Sequence, residues 1–187
     1  MKIEYLDIPG MIRIQADAFR DERGMFLETF QKNRYAKAGI RKNFVQDNLS
    51  LSRRGVLRGL HYQWPHSQGK LVQCLQGEVL DVVADIRVGS PTFGRWTSRV
   101  LSGEEASQLY IPEGCAHGFL VTSDEALFFY KCTDFYHPES ERGIFWNDED
   151  LAIDWALKGS TPILSDKDRQ LPPLSAILRE HLPIYEG

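Results

Sequence analysis

The stretch Leu71-Val72-Gln73-Cys74-Leu75-Gln76-Gly77-Glu78-Val79-Leu80-Asp81-Val82-Val83-Ala84-Asp85-Ile86 decides the fold class. Two runs of aliphatic and β-branched residues flank one Gln-Gly pair, too short for helices and rich in strand formers. Gln76-Gly77 reads as a hairpin turn between the strands 71–75 and 78–86. Working outward, the same rhythm recurs at 25–30, 44–51, 55–62, 95–101, 108–111, 117–123 and 126–131, with turn residues between the runs. So many short strands predict a mainly β protein, a sandwich or barrel with few helices. The spacing predicts one short helix over Gln31–Ala38, closed by Gly39, and another over Leu174–His181 between Pro173 and Pro183.

The 187 residues suffice for one well-filled core, so a single domain over 1–187 is expected. The proline-richer tail, about 155–187, is expected to wrap that core. A net charge of -4 argues against a nucleic-acid surface, which needs a basic face. No segment has the length and apolarity to span a bilayer, and the first residues lack a signal-peptide run, so no membrane partner is expected. Cys74, Cys115 and Cys132 are odd in number and sit in apolar runs. They read as buried free thiols in a reducing compartment, which places the protein in the cytoplasm.

Chemistry enters at Arg58-Gly59-Leu60-His61-Tyr62-Gln63. In a regular strand Arg58 and His61 point to opposite faces. Gly59 between them predicts a bulge that turns both toward one pocket. A guanidinium and an imidazole side by side suit acid/base work on an anionic substrate.

Two segments resemble the cupins, small jelly-roll barrels. One runs from His61 through Gln76-Gly77-Glu78; the other, Ile111-Pro112-Glu113-Gly114-Cys115-Ala116-His117, matches the Pro-x-Gly-x-x-His core of the second cupin motif. Metal-binding cupins hold an ion with histidines and a glutamate from these segments. Here the glutamate slot is Lys70, and the paired-histidine slot holds Trp64 and His66. An ammonium in place of a carboxylate repels a divalent cation, so no metal is expected and the chemistry shifts to general acid/base catalysis. Simpler roles compete. Lys70 is either turned into the barrel or a solvated lysine after the loop 64–69. Tyr130 is a packing aromatic or, if buried, a phenol in need of a partner. His66, His137 and His181 read as ordinary rim residues.

More closely, the chain resembles the dTDP-4-dehydrorhamnose 3,5-epimerases. The matching runs, in order, are Asp21–Glu28, Gln46–Ser50, Arg58–Gln63, Ser90–Gly94, Ala116–Phe119, Tyr130–Asp134, Trp146–Asp148 and Leu164–Asp168. The resemblance implies inversion of C3 and C5 beside the C4 ketone of a dTDP-linked 4-keto-6-deoxy sugar, with no cofactor. It implies His61 as base, Asp168 on the far ring nitrogen, Lys70 at the C4 oxygen, Tyr130 as proton donor, and His117 in support. Lys70 is further expected to lower the pKa of Tyr130. Arg23 and Arg58 are the expected diphosphate contacts, since a guanidinium fork fits phosphate oxygens. Glu28, Gln46, Asp47, Asn48, Glu141 and Lys167 are expected to contact the nucleotide sugar. Phe19, Phe26 and Tyr136 wall a thymine slot or simply pack. The resemblance also implies a homodimer in which the run from Arg23 to Glu28 reaches the partner's site.

Three other readings stay open at the level of sequence. A mono-epimerase on a related dTDP- or CDP-linked sugar shares most of these residues. A metal cupin is disfavoured by Lys70. A binding module without chemistry is disfavoured by His61, Lys70, Tyr130 and Asp168 occurring together.

Overall fold

The computed structural model describes residues 1–187 and builds two facing sheets. In chain order the strands are β1 (Lys2–Tyr5), β2 (Ile12–Gln15), β3 (Ala18–Asp21), β4 (Gly24–Leu27), β5 (Gln46–Arg53), β6 (Leu57–Gln63) and β7 (Lys70–Gln76). They continue as β8 (Glu78–Asp85), β9 (Trp96–Ser102), β10 (Ser107–Ile111), β11 (Cys115–Val121), β12 (Glu125–Cys132) and β13 (Glu141–Gly143). One sheet has the order β1-β2-β10-β7-β12-β5, the other β13-β6-β11-β8-β9, and β3-β4 form a separate two-stranded hairpin. The strand pairs are antiparallel throughout, as a jelly-roll sandwich requires.

The stretch Leu71–Ile86 forms two strands, as its composition predicts, but not a hairpin. β7 pairs with β10 and β12 in one sheet, whereas β8 pairs with β11 and β9 in the other. Gln76-Gly77 is therefore the corner at which the chain crosses between sheets. Gly77 is required there: its φ is +76°, and a Cβ would collide with the Glu125 carbonyl. A local turn signal reports a reversal but not which neighbour the next strand will choose.

The alternation of each strand sorts its side chains between two cores. On β8, Val79 and Val83 face the inter-sheet core with Val72, Cys74, Leu109, Phe119 and Phe128. Leu80, Val82 and Ala84 face outward into a second cluster, covered by Leu151, Trp155, Leu174 and Leu182 of the C-terminal segment. Burial on both faces explains why β8 reads as an unbroken apolar run. On the other sheet, α1 (Lys32–Lys37) places Tyr35 against Ile12, Ile14, Leu71 and Tyr110. Its expected stop at Gly39 is present, with φ +98° and an Ile40 N–H to Tyr35 carbonyl bond of 2.9 Å.

The second expected helix is absent as such. Leu174–Ala176 and Arg179–His181 are separate 3-10 turns, with Ile177 and Leu178 extended between them. Burial of Leu174 and Leu182 on the outer face of the sheet outweighs local helical spacing. Strands β1, β2, β3 and β13, and the one-turn helix α2 (Asp166–Arg169), are additions to the sequence reading. All are four residues or fewer, too short to carry a period.

The bulge expected at Gly59 is present. His117 faces His61 while Phe119 faces Arg58, so two steps on β11 oppose three on β6. Leu57 and Leu60 consequently share the outer cluster, and Arg58 and His61 share the inner face. Gly59 has φ +118°, and a Cβ would sit 2.6 Å from the Gly118 Cα and 2.7 Å from the His117 carbonyl oxygen. Gly59→Ala is expected to destabilise the chain by about 3 kcal/mol in urea unfolding. A variant as stable as the parent would show that the close approach of β6 and β11 is dispensable.

Candidate active site

Between the open ends of the two sheets lies a cavity of about 200 Å³, lined by Gln46, Asn48, His61, Gln63, Lys70, Tyr130, Tyr136 and Glu141 among others. The walls come from opposite sheets. His61 descends from β6, whereas Lys70 and Tyr130 rise from β7 and β12. The inward direction of Lys70 follows from alternation, because Val72 and Cys74 on the same strand lie in the inter-sheet core. The reading of Lys70 as a solvated surface lysine does not hold. The edges β5 and β13 contribute Gln46, Asn48 and Glu141 to the rim.

His61 Nε2 lies 2.6 Å from Asp168 Oδ1. Asp168 is nearly fully buried on α2, where Ser165 caps the helix by accepting the Asp168 N–H at 3.1 Å. Burial pushes the Asp168 carboxyl up, but the hydrogen bond and charge of His61, with Ser165 and Lys167, hold it below the usual carboxylate range. The carboxylate engages Nε2, which leaves Nδ1 as the ring nitrogen free to face the cavity. The surface-turn alternative for Asp168 therefore falls away.

Lys70 is desolvated, which lowers its pKa, while Cys132, Asp81 and Glu141 oppose the shift. Tyr130 departs from expectation. Burial raises its phenol, Cys132 and Glu141 add to the rise, and the cation that opposes it is Arg58 rather than Lys70. Desolvation outweighs the neighbouring positive charge, so the phenol keeps its proton at neutral pH. Arg58 itself donates to Ser52 Oγ from Nε and Nη2, at 3.2 and 3.1 Å.

Sequence reasoning missed Asp81. Its Oδ2 lies 2.7 Å from His117 Nε2, both groups are buried between the sheets, and its Oδ1 has no partner. Burial lowers the His117 pKa, with Asp81 opposing and Lys70 and His61 reinforcing. A neutral His117 thus donates to Asp81. An acidic residue alternating with Val79 and Val83 in an apolar run was the available signal. Gln63 was also missed as a support: its amide donates to the His66 and Phe135 carbonyls and accepts the His137 N–H.

At the rim, Glu141 pairs with Lys167 at 2.5 Å and accepts the Tyr136 hydroxyl at 2.5 Å. The lysine and tyrosine outweigh burial and hold the Glu141 carboxyl low. Other expected contacts lie elsewhere. The Asp47 side chain points to the outer face of β5 and pairs with Lys131, because Gln46 and Asn48 take the inward positions. Glu28 pairs with Arg34. Phe19, Arg23 and Phe26 sit on the β3-β4 hairpin, outside this cavity, with Phe19 and Phe26 66% and 71% exposed.

A family model described as dTDP-4-dehydrorhamnose 3,5-epimerase matches residues 5–176. A curated dTDP-4-dehydrorhamnose 3,5-epimerase from Pseudomonas aeruginosa is 53% identical over 171 residues, covering 91% of this chain and 94% of its own. A solved dTDP-6-deoxy-D-glucose-3,5-epimerase from Legionella pneumophila, in complex with dTDP-4-keto-L-rhamnose, is 52% identical. It superposes with a TM-score of 0.96 over 100% of this chain and 99% of that one. A 3'-monoepimerase from Streptomyces bikiniensis, in complex with dTDP-quinovose, is 35% identical, with a TM-score of 0.90 over 96% of this chain and 92% of that one. The match spans both sheets and every strand that lines the cavity, and on this ground the chain belongs to the dTDP-4-dehydrorhamnose 3,5-epimerase family.

Proposed function

We propose that the cavity converts a dTDP-linked 4-keto-6-deoxy-D-glucose into the corresponding 4-keto-L-rhamnose by inverting C3 and then C5, or the reverse. The observation that carries this reading is the placement of a carboxylate-backed imidazole on one sheet and a half-buried phenol on the facing sheet. His61 Nδ1 removes the proton beside the ketone, and the C–H electron pair passes into the C4 carbonyl to give an enolate. Lys70 faces the oxygen on which that charge grows. Tyr130 delivers its proton to the opposite ring face, the enolate collapses, and the configuration is inverted. Proton exchange with water then resets the imidazolium and phenolate, so the step needs no redox partner.

Tyr136 and Glu141 suit the mouth of the cavity as contacts for the thymine and a sugar hydroxyl, with Gln46, Asn48 and Lys167 beside them. Arg58 suits the diphosphate. The acting unit in this reading is a homodimer. Exposed Phe19 and Phe26 on the hairpin, with exposed Leu49 and Leu51 on the uncovered face of β5, supply an apolar surface that a second copy would bury. The hairpin then carries Arg23 to the other copy's diphosphate. Three buried, unpaired thiols suit a cytoplasmic setting.

Tyr130→Phe is the test. In heavy water the variant is expected to incorporate deuterium at C3 and C5, because the base is intact, while formation of inverted product falls about 100-fold. Inversion of both centres at the parent rate would end the donor assignment. NMR of the parent's product distinguishes two inverted centres from one, the mono-epimerase outcome.

A further inference from the structure

Outside the reacting centre, the loop after β6 and the segment after β12 bring two imidazoles and a carboxylate together. His66 and His137 stack with ring centroids 4.2 Å apart and an interplanar angle of 17°. His66 Nδ1 lies 3.8 Å from Asp134 Oδ2, and His137 Nε2 lies 3.9 Å from Asp134 Oδ1. Both gaps are too long for hydrogen bonds. They match the span of two ligand atoms on one ion, whose bonds are each about 2.0–2.2 Å for zinc. The three donor atoms lie within 4.8 Å of one another. Tetrahedral ligands stand roughly 3.3 Å apart with their in-plane lone pairs converging on the ion, so closing the set requires the two stacked rings to turn out of their near-parallel arrangement, which their partial exposure allows.

The surroundings also fit a metal site. The other ring nitrogen of His137, Nδ1, lies 3.3 Å from Glu139 Oε1. A ligating imidazole ordinarily donates its second N–H to a carboxylate, which fixes the tautomer and directs the free nitrogen at the ion. The backbone is held as well. Gln63 bonds the His66 and Phe135 carbonyls and the His137 N–H, and the Asp134 carboxylate accepts the Phe135 N–H at 2.8 Å.

We propose that His66, Asp134 and His137 form a surface site for a borderline divalent transition cation of the zinc class, at the rim of the cavity and separate from its acid/base groups. Two imidazoles and one carboxylate are the donor set such ions prefer over magnesium or calcium. A bound ion would tie the loop after β6 to the segment that carries Tyr136.

The test is titration of EDTA-stripped full-length protein with zinc near neutral pH, followed by calorimetry, and with cobalt(II), followed by its visible absorption. The parent is expected to bind one equivalent of zinc. Each of His66→Asn, Asp134→Asn and His137→Ala is expected to weaken binding at least about tenfold. Asparagine at 66 tolerates the positive φ of 66°. Asparagine at 134 keeps an acceptor for the Phe135 N–H. Zinc should raise the thermal midpoint of the parent and leave those of the variants nearly unmoved, which separates lost binding from lost folding. Absence of binding at millimolar zinc, or equal binding by parent and variants, overturns the proposal. Epimerase activity does not enter either readout.

Discussion

Replacing His61 by asparagine is expected to lower epimerisation by about 10³-fold or more and to abolish deuterium incorporation at C3 and C5. General base catalysis by a positioned side chain contributes about 10²–10⁴-fold, and His61 is the one imidazole among the residues that line the cavity. His117 is not a substitute. Its Nε2 is engaged by Asp81, and it lies deeper between the sheets. Asparagine reaches only as far as the ring's Nδ1 position, so Asp168 loses its 2.6 Å partner while the Ser165 cap of its helix is kept, and the fold is expected to persist at reduced stability. Circular dichroism of the variant checks that point. Deuterium exchange at the parent rate in a folded His61→Asn protein would remove His61 from the mechanism. Loss of inversion with retained exchange would instead move His61 from the base to a later step.

The legible part of this molecule was the part with a local signature. Long apolar runs identified the strands that line the inter-sheet core, and Gly59 between two polar residues identified the bulge. Where each strand pairs is set by contacts distant in sequence, and Gln76-Gly77 illustrates the limit: a reversal was visible, its destination was not. The site divides in the same way. His61 and Lys70 stand in runs whose alternation fixes their direction once the strands are known. Asp168 depends on a single helical turn about 100 residues away from its partner, and without the family resemblance its sequence reads as an exposed turn. Asp47 faces away from Gln46 and Asn48 because a three-residue run cannot put all its side chains on one face of a strand. The Tyr130 phenol is raised rather than lowered, because desolvation dominates and the opposing cation is Arg58 rather than Lys70, neither of which a local run of sequence displays.

Lys70→Met is expected to reduce kcat by about 10²–10³-fold with little change in KM. The loss corresponds to removal of one preorganised group at a developing oxyanion, about 2.7–4 kcal/mol. Methionine approximates the length and apolar volume of the lysine stem, so Val72, Cys74 and their neighbours need not rearrange. Stability should respond in the opposite sense. A desolvated ammonium has a folded-state pKa below its unfolded value, so its charged form opposes folding at neutral pH. Its removal leaves Asp81 still bonded to His117, and the unfolding midpoint should hold or rise. The two parameters separate the possible roles. If Lys70 served mainly to hold the diphosphate, KM would climb and kcat would survive, because that interaction is equal in ground and transition states. If it served only to fill the core, kcat would be kept by a side chain of the same shape. A fall in kcat alone, in a protein no less stable than the parent, is what an ammonium aimed at the enolate oxygen requires.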